Sequence, residues 1–216
     1  MIKRLVLLLV ITNVSFVYAI IGGIGINVVN DSFTLEGQTF AGPGDIASIE
    51  RTEIGAPIGL GAFAYLTIVP FVDFEASAHV TGSPYDYTYQ DLSGNNEKMT
   101  LPFGKFSWSL SVQKPVLKIP TIRMYIGGGI NKASFTKIVT PQNMESLDPE
   151  QLNDIEYIND NLSTSSSGFH LELGARFKPP IIPFSINTNA RYNFIDGVIP
   201  GESGYLTISA GMAFAI

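Results

Sequence analysis

Three residues at alternating positions, Glu75, Ser77 and His79, supply the carboxylate, hydroxyl and imidazole from which nucleophilic triads are built. On an extended segment they share one face. Positions i and i+2 then lie about 6.8 Å apart along the strand, beyond direct hydrogen-bond reach, so a Ser77–His79 contact needs tilted side chains or a neighbouring strand. The spacing favours packing inside the fold over catalysis. His170 and Glu172 repeat the arrangement and could ligate a metal or exchange a proton. With two histidines and no cysteine, three or four convergent ligands are not visible, and there is no catalytic thiol. Gly22, Gly23, Gly25, Gly59, Gly61, Gly127, Gly128 and Gly129 invite comparison with phosphate-binding loops. They lie within strand-like stretches and open no helix, which suits strand curvature and room for bulky neighbours such as Tyr125. The sequence therefore predicts no catalytic, cofactor-binding or metal-binding residue.

The elements carrying these residues must be strands. The chain is 45% hydrophobic with a mean hydropathy of +0.23, yet past residue 19 no apolar run approaches the roughly 20 residues of a spanning helix. Period-2 hydrophobicity instead marks about eight segments, 20–30, 58–68, 72–81, 100–113, 122–135, 165–177, 184–195 and 204–216. In 72–81 the apolar set Val72, Phe74, Ala76, Ala78, Val80 alternates with Asp73, Glu75, Ser77, His79, Thr81. In 184–194, Phe184, Ile186, Thr188, Ala190, Tyr192, Phe194 alternate with Ser185, Asn187, Asn189, Arg191, Asn193. Charges keep to the polar stripes while aromatics cluster near strand ends, the pattern of a barrel with lipid outside and polar groups within. The polar stripes set Asp73, Glu75 and Glu172 against Lys105, Arg123, Arg176 and Arg191. A lumen of eight strands is just wide enough for side chains to fill it, so these charges must pair.

The connectors alternate strictly between long polar segments (31–57, 82–99, 136–164 and 196–203) and short proline-rich ones at Pro70, Pro115–Pro120 and Pro179–Pro183. Proline ends strand pairing because it lacks an N–H donor. Alternation of this kind belongs to an up-and-down barrel with tight turns at one rim and loops at the other. Asp148-Pro149-Glu150-Gln151 reads as an N-cap, an N1 proline and a Gln at N3, with Leu152, Ile155 and Ile158 following at helical spacing. The expected fold is thus all-β, an up-and-down antiparallel transmembrane β-barrel of about eight strands, with a short helix in the third long loop.

Residues 1–19 carry Lys3 and Arg4, an apolar stretch from Leu5 to Ile11, and a Val17-Tyr18-Ala19 ending, the parts of a secretory signal peptide cleaved after Ala19. Residues 20–216 would then form a single barrel domain. Cleavage would leave a net charge of −8, eleven basic residues against nineteen acidic ones, which makes nucleic acid a poor partner. The acids of 136–164 show no EF-hand spacing.

The final segment ends Ser209-x-Gly211-x-x-Phe214-x-Ile216. This resembles the C-terminal β-signal that the barrel-assembly machinery recognises in outer-membrane proteins, with Ile216 in place of the usual phenylalanine. The wider chain is similar to the small OmpA/OmpX-like outer-membrane barrels, with Pro120-x-x-x-x-Tyr125-x-Gly127-x-Gly129 and Gly174-Ala175-Arg176-Phe177 resembling strand openings common there. The resemblance implies a bacterial outer-membrane location and brings no catalytic residue with it. The expected role is non-enzymatic, structural or through surface interactions, with a possible extracellular ligand at loops 31–57 and 136–164. A narrow channel or small-solute transporter is the first alternative. A lipid-modifying hydrolase built on Ser77 and His79 is the second, and it would require that pair to face lipid.

Overall fold

The computed structural model describes residues 22–42, 46–69, 71–119, 121–140, 151 and 154–215. The signal-peptide segment 1–19, the cleavage site after Ala19, Ile216 and the Asp148 helix-cap reading lie outside the described residues.

Among the described residues ten strands form in chain order: β1 (Gly22–Asp31), β2 (Gln38–Ala41), β3 (Ile46–Arg51), β4 (Ile58–Val69), β5 (Val72–Asp91), β6 (Asn96–Lys118), β7 (Ile122–Thr136), β8 (Ser163–Phe177), β9 (Phe184–Phe194) and β10 (Tyr205–Ala215). A helix, α1 (Ile155–Leu162), directly precedes β8. Strands β1 and β4 to β10 pair antiparallel with their neighbours in the order β5-β4-β1-β10-β9-β8-β7-β6, and β5 pairs with β6 to close the ring. Closure joins the first strand to the last, with Gly23 opposite Ala215 and Asp31 opposite Thr207. A closed ring leaves no edge, so every barrel strand has hydrogen-bonding partners on both sides, as a hydrocarbon environment demands.

The two faces carry opposite chemistry. Ile24, Ile26, Leu60, Phe74, Trp108, Leu110, Ile126, Leu171, Ile186, Met212 and Phe214 point outward and are exposed, Ile26 at 73%. Asp73, Glu75, His79, Lys105, Gln113, His170, Glu172, Arg176 and Arg191 point inward and are buried. A water-soluble barrel would reverse this arrangement, so the exposed apolar band marks the fold as a transmembrane barrel.

Two expected loops are more ordered than their polarity suggested. Segment 82–99 is a continuation of β5 and β6 as a paired arm, from Gly82 opposite Gly104 to Gln90 opposite Asn96. Its tip is a short turn with Gly94 at φ +85°, and the alternation of Tyr85, Tyr87 and Tyr89 with polar residues fits a ladder with one covered face. Segment 31–57 contains the β2–β3 hairpin, and β3 extends the sheet by pairing Arg51 with Tyr87 and Ile49 with Tyr89 of β5. At the other rim β6 runs on to Lys118, with a register shift between Pro115 and Leu117 where the proline cannot donate.

Helix α1 is the short helix expected in the third long loop. Within the described residues its N-cap is Asp154, whose side chain accepts the Glu156 amide at 2.8 Å.

Candidate functional site

The lumen is the only place where chemistry-bearing residues converge among the described residues, and it is layered. Nearest the short-turn rim, Arg123 bonds Asp73 at 2.6 Å. Above it the Arg176 guanidinium lies 3.5 Å from the Tyr65 ring centroid, donates to Asn187 at 2.7 Å, and stands 3.7 Å from Asp73 and 3.6 Å from Glu75. Gln113 bridges the carboxylates of Glu75 and Glu172 at 3.1 and 2.9 Å. Arg191 grips Glu172 through Nε at 3.0 Å and Nη2 at 2.8 Å, and its Nη1 donates to Ser109 at 2.5 Å and Ser77 at 3.1 Å.

A second network lies toward the long-loop rim and centres on Asp31. Its carboxylate meets Lys105 at 2.7 Å and accepts from Thr81 at 2.6 Å and Thr207 at 2.7 Å. Lys105 also donates to the Tyr205 hydroxyl at 2.8 Å. Asn131 donates to Asn193, and Asn193 to Thr207, each at 2.8 Å.

Asp31 was missed from sequence because it sits where the first long connector was expected to begin. It is fully buried at the end of β1. With it the lumen holds, among the described residues, four carboxylates, Asp31, Asp73, Glu75 and Glu172, and four cations, Lys105, Arg123, Arg176 and Arg191. The sequence estimate of three against four becomes an even match, which is what a desolvated interior requires.

Above this ladder the polarity reverses. Ile49, Ile54, Tyr85, Tyr87, Met99, Leu101, Phe103, Phe135, Val139, Ile158, Leu162 and Ile195 form one buried apolar cluster drawn from β3, the β5–β6 arm, β7, α1 and the connectors. Phe33 packs edge-on against Phe103 and Tyr205 at 5.8 and 6.0 Å, joining cap to barrel. Arg51 is buried in this cap and donates to the carbonyls of Val139 at 3.2 Å and Glu36 at 2.9 Å, tying the first long connector to the third. Burial pulls its pKa below the ordinary arginine value and pushes the Tyr85 phenol up to about 12.

The residues singled out for catalysis do not assemble into a triad. Ser77 and His79 both face the lumen, away from lipid. Ser77 pairs with Ser109 at 2.7 Å and with Arg191, while His79 Nε2 has no hydrogen-bond partner. A different serine does meet a histidine: Ser111 Oγ lies 2.9 Å from His170 Nε2. Glu172 approaches that same nitrogen at 3.8 Å, and Nδ1, which a triad carboxylate would orient, has no partner. Ser111, His170 and Glu172 are all at least 95% buried, so no substrate reaches them. No group of three or more metal-ligating residues occurs among the described residues.

No protein-family model matches this sequence, and no curated protein does. Solved structures do match its shape. Over 90% of the chain it superposes on 97% of Ail, the attachment invasion locus protein of Yersinia pestis, at a TM-score of 0.51 and 12% identity. It superposes equally on 94% of the outer membrane protein OprG from Pseudomonas aeruginosa, at a TM-score of 0.51 and 14% identity. The chain has the fold of the small OmpA/OmpX-like outer-membrane barrels.

Proposed function

We propose that this chain is a non-enzymatic protein of the bacterial outer membrane, exported by its N-terminal signal peptide, with a sealed lumen and a role carried by the surface of its long connectors. One observation carries the reading: an evenly matched charge ladder fills the barrel and an apolar cap closes it. Water and ions crossing would have to break both. Opening the ladder separates buried ion pairs, and opening the cap exposes its apolar cluster to water. The narrow-channel alternative requires one of these to give way.

Several features bear on partners. Ail was crystallised with a heparin analogue. In this chain the long connectors carry fifteen carboxylates besides Asp31, against Arg51, Lys98 and Lys137, and Arg51 is buried. Such a surface repels a sulfated polysaccharide. An extracellular ligand at loops 31–57 and 136–164 would instead meet an acidic rim. For assembly, Ser209 and Gly211 lie on the inward face of β10 and Phe214 on the outward face, 5.7 Å from Phe184. We assign to them, with Ile216, recognition by the barrel-assembly machinery.

Planar-bilayer recording from the purified full chain tests the proposal. The expected result is no stable open step at physiological salt. Stable single-channel steps overturn the sealed-lumen reading in favour of the channel.

A further inference from the structure

Between the lower network around Arg191 and the upper one around Asp31 lies a small cavity with room for about one water-sized sphere, lined by His79, Ser107, Ser109, Asn131, Arg191 and Asn193, among others. Two of its lining residues each carry a buried polar atom with no hydrogen-bond partner, His79 Nε2 and Asn131 Oδ1. Their residues are 7% and 4% exposed. An unpaired buried polar atom is costly, so a cavity wall that carries two of them favours a polar occupant.

We infer that this cavity is a binding site for a single, tightly held water molecule, with His79 and Asn131 as its principal ligands. The chemistry selects the occupant. Arg191 and Lys105 are already matched to Glu172 and Asp31, so an added ion would unbalance a lumen whose charges cancel. The volume excludes an organic solute. Water donates to Asn131 Oδ1 and to an unprotonated His79 Nε2, and its oxygen accepts from the Ser107 hydroxyl, which gives the roughly three hydrogen bonds typical of buried water. The site exists because Gly61, opposite His79 on β4, has no side chain: a Cβ there would collide with the His79 ring and the Asn27 amide oxygen.

Water-selected NOE spectra of the folded full chain in detergent micelles test this. The expected result is a long-lived water cross-peak to the Asn131 carboxamide and the His79 imidazole. In a His79→Phe variant that still shows heat-modifiable gel migration, the Asn131 cross-peak is lost. Absence of any long-lived water at Asn131 in the wild type overturns the proposal, and so does an unchanged Asn131 cross-peak in the folded variant. Crystals grown in bromide add a second arm. An anomalous peak between His79 and Arg191 would make this an anion site and overturn the water assignment, whereas no peak there supports it.

Discussion

Ser111 and His170 hydrogen-bond at 2.9 Å although a whole strand lies between them. Ser111 on β6 is in register with Gly129 on β7, and Gly129 is in register with His170 on β8. The glycine contributes no side chain, so the residues flanking it touch. Gln113 and Glu172 meet in the same way across Gly127. The central strand of this part of the lumen is thinned so that its neighbours can form the charge ladder.

Gly129→Ala should therefore destabilise the barrel. The added Cβ would run into the Leu110 carbonyl and crowd the Ser111 backbone, an overpacking cost of about 1–3 kcal/mol. Urea unfolding followed by the fluorescence of Trp108, the chain's single tryptophan, reads it. A midpoint equal to wild type would show that the strand yields freely.

Removing Arg191 strands two carboxylates at once, since Glu172 lies 2.8 Å and Glu75 3.6 Å from its Nη2. Arg191→Met should cost about 3–5 kcal/mol, the range for breaking a buried pair from one side. Adding Glu172→Gln should recover part of that loss. A double-mutant cycle that comes out additive would mean the two residues do not act as a pair.

Arg51 works on the cap and not on the barrel. With its carbonyl bonds to Val139 and Glu36 removed, Arg51→Met should raise amide exchange at residues 137–140 and leave exchange in β8 and β9 unaltered. Hydrogen-exchange mass spectrometry separates these regions. Uniform exchange across both would show that cap and barrel open together.

The tip of the β5–β6 arm should be pH-dependent. Asp91 accepts the Asn95 side-chain amide and backbone amide, both at 2.8 Å, and these bonds hold its carboxyl below the usual aspartate value. Because the folded pKa is the lower one, the stabilisation is fully present above the unfolded pKa of about 3.9 and is lost as pH falls through the folded pKa. Amide exchange at Gly94 and Asn95, with intrinsic rates corrected, should be protected at neutral pH and lose that protection in acid. Asp91→Asn should flatten the dependence.

Much of this fold was legible beforehand, and the lumen list shows where legibility stopped. Alternation along 72–81 and 184–194 placed every inward and outward residue on its observed face, because strand geometry offers a side chain only two directions. The same local rule failed at 82–99, where polarity suggested a loop. Pairing of β5 with β6, one face covered by the cap, made it a sheet, and that cover comes from β3 and α1, distant in sequence. Asp31 was lost for a related reason: its partners Lys105, Thr81 and Thr207 lie on three other strands, and only ring closure brings them together.

By itself, then, the sequence determined the number of barrel strands, the polarity of each face and the alternation of connectors, all consequences of period-2 chemistry read along one strand. Tertiary structure decided which charges pair, that the column is evenly matched, that Ser111 rather than Ser77 meets a histidine, and that the mouth is capped. Those outcomes depend on register across neighbouring strands and on glycines that let side chains meet past an intervening strand. Register is a property of closure around the ring, and no single segment contains it.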